Sequence, residues 1–326
     1  MGKFLSAPLI AAAFLMTFTA APSWAAANTV KVTPLGSLAG EFCNRDRAIV
    51  FEDPNGTRIL YDAGRTVRGS ADARLGNIDV VLLSSVHDDH IGDRIVEGGP
   101  CGSATTTVAS TKPISNTAQI AADKDAEVYV GGEMSRFLGN RIAAAGGSAS
   151  QAHTLRPGAT AIDGGVEISV VMAIHSNGVN SGFVAAADLS ADLAASGLTA
   201  YTGPDHGYIL KFTNGLVVYL TADTGHTSDM KLIVKDFYHP KLVVINMGDV
   251  FSMGPREAAF AINHLIKPRS VIPEHANEGA TSDGVVLGGT KTEAFIDLLD
   301  AKFSVHVPLS DITMEFNGQG KCVAGC

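Results

Sequence analysis

The sequence predicts an α/β protein in which helices cover one face each of two mixed β-sheets. Three observations predict it. Apolar runs of strand length recur along the chain, and several are continuous, as strands buried on both faces are. In the second half these runs alternate with stretches whose apolar residues fall at helical spacing. The composition, 46% hydrophobic and 17% charged, supplies ample core for such layers.

In chain order, Met1-Gly2-Lys3 is a short positive start, residues 9–18 are apolar, and Ser23-Trp24-Ala25-Ala26-Ala27 is a run of small residues suited to signal peptidase. The apolar stretch is short of the ~20 residues a membrane-spanning helix needs. This predicts a signal peptide over residues 1–26, a single mature domain over 27–326, and a periplasmic or secreted protein with no stable membrane anchor. Strands are expected at 30–32, 48–51 and 58–61, with Asp53-Pro54-Asn55-Gly56 turning between the last two. Residues 78–83 form a buried run, and further strands follow at 127–130, 166–174, 208–212, 216–220, 242–245 and 270–272. Met230, Ile233, Val234 and Phe237 predict a helix capped by Ser228 and stopped before Pro240. Pro255 opens a second helix through Ala258, Ala259, Ile262 and Leu265. Thr290 and Glu293 have capping-box spacing ahead of Phe295, Leu298 and Leu299. Residues 177–205, rich in Ala, Gly, Ser and Asp, fit neither pattern; their place directly after His175 predicts a lid.

The net charge of −9 argues against a nucleic-acid partner, which needs clustered Lys and Arg. A small-molecule substrate is expected instead. Cys43, Cys101, Cys322 and Cys326 allow three disulfide pairings in an oxidising compartment, and the spacing selects none of them. No CxxC occurs, which speaks against a cysteine metal site.

The densest chemistry lies in Ser84-Ser85-Val86-His87-Asp88-Asp89-His90, directly after the buried run Val80-Val81-Leu82-Leu83. A strand end handing over to a tight loop can direct His87, Asp89 and His90 inward together, and borderline-soft divalent metals accept such a mixture of imidazole and carboxylate. Three more expected strands end on a possible ligand: His175, Asp223 in Thr221-Ala222-Asp223-Thr224-Gly225, and His275 in Ile272-Pro273-Glu274-His275. His153, His239, His264 and His306 lack convergent neighbours and read as structural or surface residues. His226, just past the Asp223 turn, has a weaker claim to orient a ligand.

These motifs, with Ser228-Asp229-Met230-Lys231-Leu232-Ile233 and Met253-Gly254-Pro255-Arg256-Glu257-Ala258-Ala259, resemble metallo-β-lactamase-fold hydrolases. The likeness runs from about residue 30 to about 277 and is nearest the metal-dependent hydrolases related to ascorbate-phosphate lactonases and N-acyl-phosphatidylethanolamine phospholipase D. The resemblance implies a four-layer αββα sandwich with metals at one edge of the sheets. It places His87 and His175 at a first metal, Asp89, His90 and His275 at a second, and Asp223 between them. The family's loop begins with a histidine where this chain has Ser85, so the first position is one imidazole short. Asp88, Cys43 or His206 are candidates to fill it. His206, in Gly203-Pro204-Asp205-His206-Gly207-Tyr208, is the preferred one, as ligand or proton donor.

The expected cofactor is zinc, one or two ions, with manganese or iron compatible with the same ligands. The expected reaction is hydrolysis of a lactone, ester, amide or phosphoester bond by metal-activated water, with Asp89 and His206 as catalytic residues. The alternatives are an iron-dependent redox relative on the same fold and a non-catalytic metal-binding protein with an eroded first site.

Overall fold

The computed structural model describes residues 1–2, 28–98, 101, 107–131, 133–179 and 191–326. Most of the expected signal peptide, residues 3–27, lies outside the described residues, as does the middle of the expected lid, residues 180–190.

Period-two alternation builds the sandwich. Along Val80–Leu83 every side chain is buried, but Val80 and Leu82 join one apolar cluster and Val81 and Leu83 another. The first of these clusters lies between two sheets. It combines Val30, Phe51, Ile59 and Tyr61 from one sheet with Ile168, Tyr208, Val218 and Val244 from the other. The second lies between the first sheet and the helices Asn116–Lys124 and Met134–Ala144, through Ala118, Ile120, Leu138 and Ile142. A third joins the outer face of the second sheet, through Val243 and Ile245, to the helical segments Met230–Tyr238, Pro255–Phe260 with Ala261–Ile266, and Lys291–Asp297. Three cores separate four layers, in the expected αββα order.

Both sheets are mixed. In the eight-stranded sheet Arg58–Tyr61, Val80–Leu83, Glu127–Val130 and Ala152–Thr154 run parallel, while Val30–Pro34 pairs antiparallel with Ile49–Glu52. In the seven-stranded sheet Val217–Leu220, Leu242–Asn246 and Ser270–Glu274 run parallel, and His206–Lys211 lies antiparallel between Val166–Met172 and Val217–Leu220. The carboxyl ends of Val80–Leu83, Val166–Met172, Val217–Leu220 and Ser270–Glu274 lead directly into the segments carrying the expected ligands.

Several elements differ from expectation. The strand expected at 270–272 continues through Pro273 to Glu274, with Pro273 opposite Ile245. The expected lid is not structureless at its ends: Gly178–Val179 pairs with Ala200–Tyr201, and Ala191–Ser196 is helical. Cys43 is bonded to Cys101 and Cys322 to Cys326, which selects one of the three pairings.

Candidate metal centre

After Leu83 the chain turns through one helical turn, Asp88–Ile91, with His87 as its N-terminal flank and Gly92 in the left-handed region at φ 73° behind it. Gly92 has no room for a side chain: a β-carbon would fall 2.5 Å from the Gly64 carbonyl oxygen. This tight turn brings His87, Asp89 and His90 to the sheet edge. Ile174, next to His175, is tied to the Asp223 turn by two hydrogen bonds, from its N to Thr224 Oγ1 (2.9 Å) and from Gly225 N to its carbonyl (3.1 Å). Ala222, beside Asp223, and His275 itself adopt positive φ, 58° and 51°. Non-glycine residues in that region cost energy and cluster at functional sites.

The six expected ligands converge. His90 Nε2 lies 3.2 Å from Asp223 Oδ2, and His175 Nε2 lies 3.8 Å from the same oxygen. His275 Nε2 lies 3.2 Å from Asp223 Oδ1 and 3.5 Å from Asp89 Oδ2. The ligand atoms of Asp89, His90 and His275 fall within 4.8 Å of one another, a separation one ion can span. The His87 side is wider, with its ring 5.3 Å from that of His175.

A cation fits this arrangement on structural grounds. Asp223 Oδ1 and His275 Nε2 are buried, face each other, and have no hydrogen-bond partner. Such a pair is satisfied either by a proton on the imidazole, which makes it an ion pair, or by a metal ion in that proton's place. The electrostatics agree. Burial alone would push His90 down, but the Asp223 and Asp62 carboxylates outweigh it and hold the imidazole well above its ordinary range. Burial would likewise raise Asp223, yet His275 and His90 hold it well below the usual carboxylate range. Burial pushes His87 down to about 4 and His175 down as well, leaving both neutral and able to donate.

Two residues that sequence reasoning missed hold these ligands in place. Asp62 is fully buried and accepts from Ser84 N (2.9 Å), Ser84 Oγ (2.7 Å) and His90 Nδ1 (2.8 Å). It thereby fixes the His90 tautomer so that Nε2 faces the site. Arg47 places Nη2 2.6 Å from Asp89 Oδ2 and donates to Asn277 Oδ1 (2.9 Å), so Asp89 stays ionised despite burial. Asp62 follows the strand Arg58–Tyr61 directly, so the strand-end rule that marks Asp223 marks it too.

Ser85 is buried within its own loop. Its hydroxyl accepts from His87 N (3.2 Å) and lies 3.4 Å from Asn177 Oδ1, which also accepts from Val86 N. None of the three expected substitutes stands in for the missing imidazole. Cys43 is in a disulfide, and Asp88 is ion-paired with Arg65 and with Arg94 Nε (3.3 Å). His206 is the clearest correction: it is fully buried, its Nε2 accepts from Gly131 N (2.7 Å), and its Nδ1 donates to the Pro204 carbonyl (3.1 Å). With both nitrogens on backbone groups it is a structural residue, neither metal ligand nor proton donor. His226 packs its ring on Phe260, away from the ligands.

Five of the six expected ligands, His87, Asp89, His175, Asp223 and His275, line a cavity of about 1020 Å³. Lys291, on the cavity wall, donates to the Gly248 carbonyl (3.0 Å), and Val250 and Phe251 form an apolar rim, 87% and 70% exposed. Val250 and Asp249 both have positive φ, 59° and 58°.

The sequence matches the family described as beta-lactamase superfamily domain over residues 46–275. A metal-dependent hydrolase of Cupriavidus taiwanensis is 29% identical over 272 residues, 81% of this chain and 80% of its own. Another, of Herpetosiphon aurantiacus, is 29% identical over 233 residues, 70% of this chain and 78% of its own. Among solved structures, Igni18, a metallo hydrolase of Ignicoccus hospitalis, aligns with 89% of this chain and 99% of its own at a TM-score of 0.55 and 19% identity. The metallo-β-lactamase fold protein YhfI of Bacillus subtilis aligns with 88% and 99% at 0.53 and 13%. At such identities the structural likenesses speak for the fold, and the sequence match for the family: the chain belongs to the beta-lactamase superfamily.

Proposed function

We propose that this protein is an exported, metal-dependent hydrolase of small molecules, acting on a lactone, ester, amide or phosphoester bond. The observation that carries the reading is the buried, unpartnered pair of donors, Asp223 Oδ1 and His275 Nε2, inside a ring of further imidazoles and carboxylates. Asp89, His90, His275 and Asp223 would hold one divalent ion, and His87, His175 and Asp223 a second. The mixed nitrogen and oxygen donors suit zinc first, with manganese or iron alternatives. When bound, such an ion supplies hydroxide from water near neutral pH and polarises the oxygen of the scissile group.

The chain's own residues do the rest. Asp62 keeps His90 Nε2 turned inward, and Arg47 keeps Asp89 in register and ionised. Held well below the usual carboxylate range, mainly because Arg47 outweighs the effect of burial, Asp89 is an acceptor that orients the attacking water rather than a store for its proton. Lys291 and the rim of Val250 and Phe251 suit a substrate with an anionic group and an apolar arm. Export rests on the signal-like residues 1–26 and on the two disulfides, which persist in oxidising compartments.

The test is metal quantification on protein purified without added metal, followed by a screen of lactones, carboxylic esters and phosphodiesters. Metal bound in whole-number stoichiometry, with hydrolysis lost on chelation and restored by the same metal, is the expected result. Asp223→Ala should lower both metal content and hydrolysis. Protein that carries no metal, takes up none and melts identically with and without chelator overturns the reading.

A further inference from the structure

We propose that Asp205 supplies the ligand that Ser85 does not, so that the first metal position is formed by His87, His175, Asp223 and Asp205. The inference rests on the metal-dependent reading above and concerns how its weaker position is completed.

Asp205 immediately precedes the strand His206–Lys211, which lies antiparallel between the strand leading to His175 and the strand leading to Asp223. Because its neighbours run the other way, that strand begins where they end, at the ligand-bearing edge. The Asp205 carbonyl accepts from Ala173 N (3.2 Å), two residues before His175. The side chain is fully buried, and neither carboxylate oxygen has a hydrogen-bond partner. Burial pushes the Asp205 carboxyl well above the usual carboxylate range; the His90 charge opposes this, the Asp223 charge adds to it, and the nearby Ser85 hydroxyl opposes it from outside hydrogen-bond geometry.

Other buried carboxylates show what a structural role looks like in this molecule. Asp53 accepts from Thr213 N, Thr213 Oγ1 and Asn55 N, and Asp46 from Ser37 N, Ser37 Oγ and Cys43 N. Among the described residues, buried carboxylate oxygens without a partner belong to two side chains, Asp205 and Asp223. Asp223 already stands at the centre of the ligand cluster. A buried, unpaired carboxylate is costly, and a neighbouring cation removes that cost. A serine is also far smaller than the imidazole it stands for, and it is this serine's hydroxyl that lies near Asp205. His206 serves the arrangement indirectly, because its hydrogen bonds to Gly131 and Pro204 fix the backbone that carries Asp205.

The exchange of an imidazole for a carboxylate makes the first position more anionic and richer in oxygen donors. Relative to the second position it should favour manganese or iron over zinc.

The experiment uses the full chain, stripped of metal and titrated with Zn²⁺ and Mn²⁺ against a chromogenic chelator, with melting curves recorded on the metal-free forms. Wild-type protein should bind two ions. Asp205→Asn should keep one at unchanged affinity and weaken the other more than about 100-fold, beyond the range typical for an outer-shell change. Its metal-free form should melt close to that of wild type, because burial already keeps the metal-free Asp205 carboxyl uncharged. If that variant fails to fold, the double variant Ser85→His/Asp205→Ala tests the same point by returning the imidazole, and it should bind two ions. Asp205→Asn with both affinities unaltered, or with a lower metal-free melting temperature and two ions retained, overturns the proposal. A double variant confined to one ion does so too. Wild-type protein that binds no metal overturns the parent reading instead, a distinct outcome.

Discussion

Asp62→Asn is the sharpest probe of how the site is organised, since it keeps the side chain's volume while removing its charge and exchanging one acceptor oxygen for an NH₂ donor. Three donors converge on the native carboxylate: the Ser84 amide at 2.9 Å, the Ser84 hydroxyl at 2.7 Å and His90 Nδ1 at 2.8 Å. An asparagine carbonyl can serve the Ser84 amide, but its NH₂ then faces the hydroxyl and the imidazole. The hydroxyl can rotate to accept; His90 can meet a donor only by making Nδ1 the acceptor, which moves the proton to Nε2 and spoils the metal-facing nitrogen. Losing a hydrogen bond to a charged group costs about 1.5–3 kcal/mol. Outer-shell changes of this kind typically weaken metal binding about 10–100-fold, close to the same energy. The assay is chelator competition on wild-type and variant protein, with the melting temperature of each metal-free form as a control for folding. Affinity within about twofold of wild type, in a folded variant, would refute the claim that Asp62 sets the His90 tautomer.

Other perturbations separate the remaining roles. His206→Ala should lower stability by about 1–3 kcal/mol, because the buried Gly131 amide loses its acceptor, while metal content stays at the wild-type level; loss of one ion would restore His206 as a ligand. In metal-free protein, burial holds His87 at about 4 against an ordinary 6.5, so the unfolded chain takes a proton in that window that the folded chain refuses. Stability from this group is therefore complete above about pH 6.5 and lost as pH falls toward 4. Wild type should lose about 2 kcal/mol more than His87→Gln between pH 7 and 4, allowing for partial exposure, and parallel profiles in denaturant titrations would contradict this. Cys43→Ser opens a link spanning 58 positions, for which chain entropy gives about 4 kcal/mol, read as a lower denaturation midpoint; an unchanged midpoint would show that the bond does not constrain the folded protein.

Much of the fold was legible because two-sided burial writes a distinctive pattern. Residues 80–83 and 242–245 each feed two cores, so every one of them is apolar, and the runs stand out. The helices Asn116–Lys124 and Met134–Ala144 escaped reading for the opposite reason. Their buried faces mix Ile120, Met134, Leu138 and Ile142 with the small Ala118, Ala121 and Gly139 and the polar Asn116, Thr117 and Arg141, which blunts the period, and packing against the first sheet adds what local preference lacks. The strand Met314–Phe316 was beyond reach for a third reason: it pairs with Val30–Pro34 from the other end of the chain, and nothing local encodes a partner so distant.

Legibility of the site followed how its residues are distributed in sequence. His87, Asp89 and His90 are crowded into one loop, and His175, Asp223 and His275 each follow a strand, so their convergence was readable. Arg47 sits alone in an unremarkable context, and only its contacts give it a role, whereas Asp62 stands at a strand end as Asp223 does and was readable by the same rule. Asp205 and His206 are the instructive pair. Residue type alone favours the histidine, since imidazole is the commoner ligand. Position decides otherwise. His206 and Tyr208 share a strand face; the Tyr208 hydroxyl donates to the Leu83 carbonyl (2.7 Å) and the His206 ring packs beside it, which draws that face into the seam between the sheets. Asp205 lies one residue earlier, outside the strand, and the same backbone that commits His206 to structure leaves this carboxylate buried beside Ser85 with no donor of its own. A ligand set that is incomplete in its loop motif can thus be completed from the opposite sheet, by a residue that only the strand order brings to the same edge.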